Sequence, residues 1–400
     1  MRGSFVLLGA CFFLQACSPL RTYHAVPKEL EAQVTMPGLP NVRCWGDTTS
    51  EGLAQSALKS LEQEKEANGG KLDPQMDCLA LSGGGGDGAF GAGLLCGWSK
   101  MGTRPKFKLV TGISTGALMS PFAFLGTDYD ERLKDAYTNI SDKDIYCEHS
   151  MFDIFLSLIN IRPLPSLATH KPLKKLLERL IDEKMLQDIA KEHLKGRRLL
   201  VGTTQLDAER LVIWDMGAIA ASGAPHALGL FHKILIASAS LPATLPPEMF
   251  TVEAAGSTFT EMHVDGGVEV QVMLFENALN PLSPSGKWIK SINRPRNIYI
   301  IRNKKVYSEW QYVKPQIKYI AARTIDSLLK SQSIGDLYRL FAYAERDGIN
   351  YNLAYIPEDF EYVPTSEFDN TYMRKLYERG YELALKGYPW AKYPPDYEPQ

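Results

Sequence analysis

Apolar residues fall into short runs separated by polar, glycine-rich or proline-rich segments, and the spacing within each run predicts its secondary structure. Short apolar-rich runs predict β-strands. These runs are residues 76–81, 107–111, 198–205, 211–215, 261–264 and 298–302. Longer stretches predict helices, of which 51–67 is polar, 173–194 has apolar residues on one side, and 117–125 and 226–239 are mostly apolar. These stretches are residues 51–67, 117–125, 173–194 and 226–239, a segment containing Leu94, Leu95 and Trp98 that ends at Gly102, and most of 310–390.

The order of elements between residues 76 and 125 is strand, glycine-rich turn, helix, strand, serine-containing turn, helix. This alternation is typical of a parallel sheet with helices on both faces. The sequence therefore predicts an α/β fold, a three-layer α/β/α arrangement with a mostly parallel central sheet and a helical C-terminal extension. Ligands of such sheets bind beyond the carboxyl ends of the strands, which is where both turns lie.

The two turns carry residues suited to one chemistry. Ser114 lies between Gly112 and Gly116. A sharp strand-to-helix turn exposes a serine hydroxyl, and flanking glycines tolerate its strained backbone and close packing. The first turn offers backbone N–H groups that can bind a developing oxyanion, and its glycines are Gly83, Gly84, Gly85, Gly86 and Gly88. Together the turns predict acyl transfer by a serine nucleophile.

A serine nucleophile needs a partner that accepts its proton. The α/β-hydrolase order requires a late histidine, and none follows His263. An arrangement of Asp207 or Asp215 with His263 stays open, although a strand histidine more often serves the structure. Asp265 is the more economical base, since it ends an apolar strand, is followed by two glycines and should stand at the sheet's edge. Taken alone, the Asp-Gly-Gly sequence also fits a surface turn.

The motifs occur together and in one order along the chain. They are Ser82-Gly83-Gly84-Gly85-x-x-Gly88, Gly112-x-Ser114-x-Gly116, a block of small residues and prolines from 237 to 247, and Asp265-Gly266-Gly267. In this combination, residues 76–270 resemble the patatin-like phospholipases. The resemblance implies a lipid acyl hydrolase with a Ser–Asp dyad, acting on membrane phospholipid or other acyl-lipid esters. It implies that Ser114 is the nucleophile, that Asp265 is the general base, and that Gly83, Gly84, Gly85 and Gly86 form the oxyanion loop.

Two positions depart from that family's pattern. Asp87 stands where the family usually has Arg or Lys, and a carboxylate aimed at an oxyanion would oppose catalysis. Asp87 must therefore point away, be paired with a cation, or mark an altered site. Residues 268–271, after the aspartate motif, lack the asparagine often found there. The alternative hypothesis is a catalytically impaired patatin-fold envelope lipoprotein that binds lipid or supports structure.

The N-terminus resembles an export signal. Arg2 precedes an apolar stretch, residues 5–13, that is too short to span a bilayer. Leu14-Gln15-Ala16-Cys17 resembles the lipobox of bacterial lipoproteins, in which the cysteine is acylated after cleavage, and Ser18 favours the outer membrane. We therefore expect a lipid-anchored protein of the bacterial cell envelope, on the outer membrane and facing the periplasm, held to the membrane by lipidated Cys17. An ordinary secretory signal is the alternative.

The predicted organisation has four parts. Residues 1–16 are a lipoprotein signal peptide, and 17–70 form a tether and N-terminal support segment. Residues 71–290 form the catalytic domain, and 291–400 form a mostly helical region that completes it. The length of 400 residues and the 45% hydrophobic content suffice for one large packed domain.

Composition and motif spacing argue against nucleic-acid binding, dinucleotide binding and a metal site. The net charge of −2 gives no field that favours nucleic acid. Gly83-x-Gly85-x-x-Gly88 also fits a dinucleotide fingerprint, but the acidic residue expected after the next strand is missing. No cysteine or histidine spacing suggests a metal site, so we expect neither a cofactor nor a metal. The disulfide state of the cysteines after Cys17 stays open; they are Cys44, Cys78, Cys96 and Cys147.

Overall fold

A computed structural model describes residues 23–48, 51–150, 153–154, 157, 164–274 and 294–399. The predicted signal peptide and Cys17 lie outside these ranges. The strands are β1 (Arg43–Trp45), β2 (Met76–Leu81), β3 (Leu109–Gly112), β4 (Cys147–Glu148), β5 (Ala168–Thr169), β6 (Arg198–Gln205), β7 (Arg210–Asp215), β8 (Glu248–Ala254), β9 (Ser257–Asp265), β10 (Arg296–Arg302) and β11 (Asn350–Tyr355).

The helices of the described residues lie between and after these strands. They are α1 (Glu51–Ala67), α2 (Gly88–Lys100), α3 (Thr115–Leu125), α4 (Asp130–Thr138), α5 (Asp142–Ile145), α6 (Lys171–Leu180), α7 (Glu183–Leu194), α8 (Met216–Ala221), α9 (Ala227–Ser238), α10 (Ile317–Asp347) and α11 (Asn370–Leu385). Within the described ranges, no helix is both long enough and apolar enough to cross a membrane.

One large mixed sheet organises the molecule. Its strands follow the order β1-β7-β6-β3-β2-β10-β11, and β9 pairs with both β6 and β8. The five strands from β6 to β11 in this order run parallel. The remaining strands β1, β7, β8 and β9 pair antiparallel at the other side. The carboxyl ends of β2, β3 and β10 therefore meet at one edge of the sheet.

Both faces of the sheet are covered, as the apolar runs require. Along β2, Leu79 and Leu81 belong to one apolar cluster and Cys78 and Ala80 to another, because successive side chains of a strand point to opposite faces. Helices α2, α3 and α11 contribute to the first cluster, and α10 contributes to the second through its C-terminal half. The predicted α/β fold with helices on both faces is confirmed.

Helix α11 packs very closely on α2. A Cβ placed at Gly93 would lie 2.0 Å from the carbonyl oxygen of Tyr377, and one at Gly380 would lie 2.3 Å from that of Phe90. The absence of side chains on both glycines lets the two backbones approach. This contact brings the C-terminal part of the chain to the beginning of α2, directly after the glycine-rich turn.

The structure differs from the predicted elements in three respects. The helix predicted at 173–194 is two helices, α6 and α7, because the backbone at Ile181 is extended (φ −119°, ψ 90°) and Asp182 caps α7 by accepting from the N–H of Met185. The region 310–390 is mostly helical as predicted, through α10 and α11, and it also contains β11, which was not predicted and pairs in parallel with β10. Strands β1, β4, β5 and β8 were not predicted either. Cys78 and Cys96 are buried free thiols.

Candidate active site

Ser114 occupies the sharp turn between β3 and α3, as predicted. Its backbone has φ 54° and ψ −125°, a conformation that residues other than glycine rarely adopt. Its N–H donates to Oγ of Ser238 (3.1 Å), which in turn donates to the carbonyl oxygen of Gly202 (2.7 Å). The strained turn is thus held by a buried serine on α9 and a backbone carbonyl of β6.

The glycines around Ser114 are required by close contacts. A Cβ at Gly112 would lie 2.4 Å from the carbonyl oxygen of Gly116, and one at Gly116 would lie 2.3 Å from that of Leu81. Gly88, at the beginning of α2, leaves no room either, since its Cβ would lie 2.3 Å from Oγ1 of Thr115. The turn, β2 and α2 can therefore meet only with glycine at these three positions.

Asp265 ends β9 and faces the Ser114 hydroxyl. Only 4% of the residue is exposed, so the predicted position at the strand end is correct but the carboxyl group is enclosed. Its Oδ1 accepts from the N–H of Gly267 (2.7 Å). Burial raises the pKa of Asp265 to about 7, and hydrogen bonding from the Ser114 side chain and the Gly267 N–H partly opposes that rise.

The glycines after Asp265 fit the same tight packing. A Cβ at Gly266 would lie 2.6 Å from the carbonyl oxygen of Gly202, and one at Gly267 would lie 2.8 Å from Nε2 of Gln271. Gln271 in turn donates to the carbonyl oxygen of Gly267 (2.6 Å). The Asp-Gly-Gly sequence is therefore a buried turn at the site and not a surface turn.

His263, the other candidate base, is engaged elsewhere. Its Nδ1 lies 2.9 Å from Oγ1 of Thr203, and its Nε2 lies 3.1 Å from the carboxylate of Glu261. Glu261 also forms an ion pair with Arg43. Burial lowers the pKa of His263, and its ring packs against Phe250. These contacts give His263 a structural role in the β6–β9 part of the sheet.

The glycine loop lies against the nucleophile. A Cβ at Gly83 would lie 3.2 Å from Cβ of Ser114. The N–H of Gly83 donates to the carbonyl oxygen of Gln271 (3.0 Å), and the N–H of Gly86 donates to the side chain of Glu367. Neither of these two N–H groups is open to a ligand. Among the described residues, nothing accepts from the N–H of Gly84 or Gly85, so these two are the candidate oxyanion donors within the predicted set of four.

Asp87 is paired. Its Oδ2 lies 2.8 Å from Nζ of Lys304, and its Oδ1 accepts from the hydroxyl of Tyr372 (2.6 Å). The Asp87 carboxylate raises the pKa of Lys304, and burial together with that carboxylate raises the pKa of Tyr372. Of the outcomes considered for Asp87, pairing with a cation is the one observed.

Sequence reasoning missed the residues that support the loop from β10 and α11. Strand β10 ends at Arg302 and is followed by Asn303 and Lys304, and Tyr372 lies on α11. The position of β10 beside β2 is the signal that would have pointed to the first three, because parallel strands end at the same edge. No sequence signal places Tyr372 there.

Comparisons with known proteins gave a family match and matches to solved structures. Residues 79–275 match the family model described as patatin-like phospholipase. Among curated proteins, none matches this sequence. VipD from Legionella pneumophila matches in structure with 12% identity and a TM-score of 0.38, over 79% of this chain and 68% of that one. Human GIVD cytosolic phospholipase A2 matches with 11% identity and a TM-score of 0.36, over 86% of this chain and 63% of that one.

Proposed function

The domain at residues 79–275 belongs to the patatin-like phospholipase family, and from this premise we propose that the protein is a lipid acyl hydrolase with Ser114 as nucleophile and Asp265 as general base. Membership of the family supports lipid acyl hydrolysis in general. The observation that carries the dyad is the buried Asp265 carboxyl group, which faces Ser114 and has its pKa raised to about 7. A base with a pKa near the working pH is well matched to proton transfer.

The proposed reaction has two halves. Asp265 takes the proton of the Ser114 hydroxyl while the serine oxygen attacks an ester carbonyl, and the N–H groups of Gly84 and Gly85 bind the oxyanion that develops. Asp265 then gives this proton to the leaving alcohol, whose expulsion leaves an acyl group on Ser114. Water attacks the acyl ester while Asp265 accepts a proton from it, and that proton passes to the Ser114 oxygen as the fatty acid is released.

Two highly exposed apolar side chains support a lipid aggregate over a small soluble ester as substrate. Trp310 is 90% exposed and Ile317 is 89% exposed, before and at the beginning of α10. The same helix reaches the site, since Gln332 donates from Nε2 to the carbonyl oxygen of Val268 (3.2 Å), three residues after Asp265. Large exposed apolar side chains of this kind are suited to contact with a membrane surface.

The test of the proposed function is lipid-class profiling of the purified full chain beside Ser114→Ala and Asp265→Asn. Both variants should lose hydrolysis of diacyl and lysophospholipids and remain folded. Ser120→Ala, which changes a buried serine of the same helix α3, is the matched control and should stay active. Full activity of Asp265→Asn would refute the dyad, and a parallel His263→Asn variant would then show whether that histidine is the base.

The alternative of a catalytically impaired lipid-binding protein was motivated by Asp87. Pairing of Asp87 with Lys304 and Tyr372 removes that motive, because the carboxylate is neutralised by a cation and directed at a phenol. A fluorophosphonate probe distinguishes the two functions. Labelling of the wild type that is lost in Ser114→Ala supports the hydrolase, and absence of labelling under all conditions would support the binding protein.

We also propose that lipidated Cys17 anchors the protein to the bacterial outer membrane, with the site facing the periplasm. The lipobox-like sequence supports this proposal. Cys17→Ser should move the protein from the membrane fraction to the soluble fraction and abolish incorporation of a fatty-acid label. Cys147→Ser, which removes an exposed cysteine of the folded part, should change neither. Membrane retention of the Cys17→Ser protein would refute the anchor.

A further inference from the structure

The orientation of the oxyanion donors is set from outside the glycine loop. In a trans peptide unit the C=O and N–H groups point in opposite directions, so holding one aims the other. In the Ser82–Gly83 unit, the carbonyl oxygen accepts from Nδ2 of Asn303 (2.9 Å) and the N–H donates to Gln271 (3.0 Å). Both groups of that unit are therefore occupied.

In the next peptide unit, Gly83–Gly84, only the carbonyl group is hydrogen-bonded. The carbonyl oxygen of Gly83 accepts from Oγ of Ser82 (2.7 Å) and from a terminal guanidinium nitrogen of Arg302 (3.3 Å). The N–H of the same unit belongs to Gly84 and points the other way, with no acceptor among the described residues. Because Gly83 lies against Ser114, this N–H is the one best placed to receive the oxygen of an attacked carbonyl.

Arg302 is an unusual residue to find at this position. It is 3% exposed, and no described carboxylate lies within salt-bridge distance of it. Its Nε has no partner in the part of the chain that the structure describes. Burial lowers the pKa of Arg302 to about 10, which still leaves it charged at neutral pH, and Asp87 and Asp336 act on it only at longer range. An uncompensated buried charge is costly to keep.

We propose that Arg302 is the positioning residue of the oxyanion hole. It fixes the Gly83–Gly84 peptide unit with its N–H toward the nucleophile, and its positive charge polarises that unit and favours the negative charge that develops there. This inference rests on the proposed hydrolase function and assigns a role within the same site. No bond to Arg302 forms or breaks in the reaction.

The experiment compares Arg302→Met and Arg302→Lys with the wild type, using active-site titration by a fluorophosphonate and steady-state hydrolysis of a phospholipid. Removal of an oxyanion-hole donor costs about 100-fold to 1,000-fold in kcat. For a residue that positions a donor, we expect a smaller loss, roughly 10-fold to 100-fold in Arg302→Met and roughly 3-fold to 10-fold in Arg302→Lys, with KM unchanged. Arg296→Met, at the other end of β10, is the matched control and should keep wild-type kcat.

Two readouts separate positioning from simple structural support. A destabilised protein loses titratable sites but keeps its rate per site, whereas a mispositioned donor leaves the sites in place and lowers the rate per site. The acid limb of the pH profile should stay where it is, since Arg302 is not among the groups that set the pKa of Asp265. A kcat per titrated site within about 3-fold of wild type in Arg302→Met would overturn the inference.

The remaining outcomes are also decisive. If Arg302→Met does not fold, Arg302→Lys decides: a lower kcat per site at constant KM supports the inference, and an unchanged kcat overturns it. A wild-type protein that neither titrates nor hydrolyses lipid would refute the proposed function itself. An active wild type with an equally active, folded Arg302→Met would refute only the role of Arg302.

Discussion

Asp265→Asn should stabilise the protein while abolishing its activity. The wild-type carboxyl group has a pKa of about 7 in the folded protein against 3.8 for the ordinary side chain, mainly because of burial. At a pH above 7 the folded protein must hold a buried carboxylate, and a shift of about 3 units corresponds to about 4 kcal/mol of lost stability. Asparagine has nearly the same shape, can still accept from the N–H of Gly267, and does not ionise.

The sign of the effect fixes its pH window. A raised pKa means that the folded state binds the proton more tightly than the unfolded state, so wild-type stability falls as pH rises through the interval between the two pKa values. The advantage of Asp265→Asn should therefore be close to zero below about pH 4, about 1.5 kcal/mol at pH 5, and constant at about 4 kcal/mol above pH 7. Urea unfolding of both proteins at a series of pH values measures this difference directly.

Ser114→Ala is the matched control for this experiment. It is expected to be inactive like Asp265→Asn, but it keeps the titrating carboxyl group. Loss of the Ser114 hydrogen bond raises the pKa of that group further, so the stability of Ser114→Ala should still fall as pH rises. Inactivity alone therefore cannot produce the predicted effect. A difference between Asp265→Asn and wild type that stays constant from pH 4 to pH 8 would refute the assignment of a raised pKa to Asp265.

Three further predictions test other parts of the site. The rate of fluorophosphonate labelling at Ser114 should rise with the ionised fraction of Asp265, with a midpoint near pH 7, and a rate independent of pH between 5 and 9 would contradict the proposed base. Gly116→Ala should prevent folding or lower the free energy of unfolding by more than about 2 kcal/mol, because its Cβ would lie 2.3 Å from a backbone oxygen. Gly335→Ala is the matched control, since it lies at an exposed helical position with open space around it, and it should raise the free energy of unfolding by about 0.5–1 kcal/mol. Thermal unfolding measures both. Trp310→Ser should weaken binding to phospholipid vesicles in a sedimentation assay without slowing hydrolysis of a soluble ester, whereas Leu194→Ser, 59% exposed at the end of α7, should change neither.

The parallel core of the fold could be predicted because its signals are local. Buried parallel strands are continuous apolar runs, and the turns between them need glycine. The missed strand β8 alternates buried and exposed residues and follows two prolines, so it contains no continuous apolar run. The break between α6 and α7 was missed because Ile181 is completely buried and continues the apolar face across the extended residue. Periodicity alone does not report a change of backbone conformation.

The chemistry of the site could be predicted only in part, for a similar reason. Ser114 and Asp265 each end or follow a strand and have glycine neighbours, so their positions are visible in the sequence. The groups that pair with Asp87 in the glycine loop come from distant parts of the chain. Lys304 is 217 residues from Asp87 along the chain, and Tyr372 is 285 residues away. Such pairs follow from the packing of β10 and α11, which no local pattern specifies.

The charges around the loop explain how an acidic residue can lie within an oxyanion-binding turn. Asp87 contributes a negative charge, but Lys304 is paired with it at 2.8 Å and Tyr372 donates to its other oxygen. Arg302 has no carboxylate paired with it in the described part of the chain, and it contacts the carbonyl oxygen of Gly83. Glu367 also lies at the loop, where it accepts from the N–H of Gly86, and burial raises its pKa. The proposed role of Arg302 is therefore to place a positive charge on the Gly83 carbonyl oxygen that favours an anion at this peptide unit in spite of the acidic groups around the loop, because charges act strongly in a buried site.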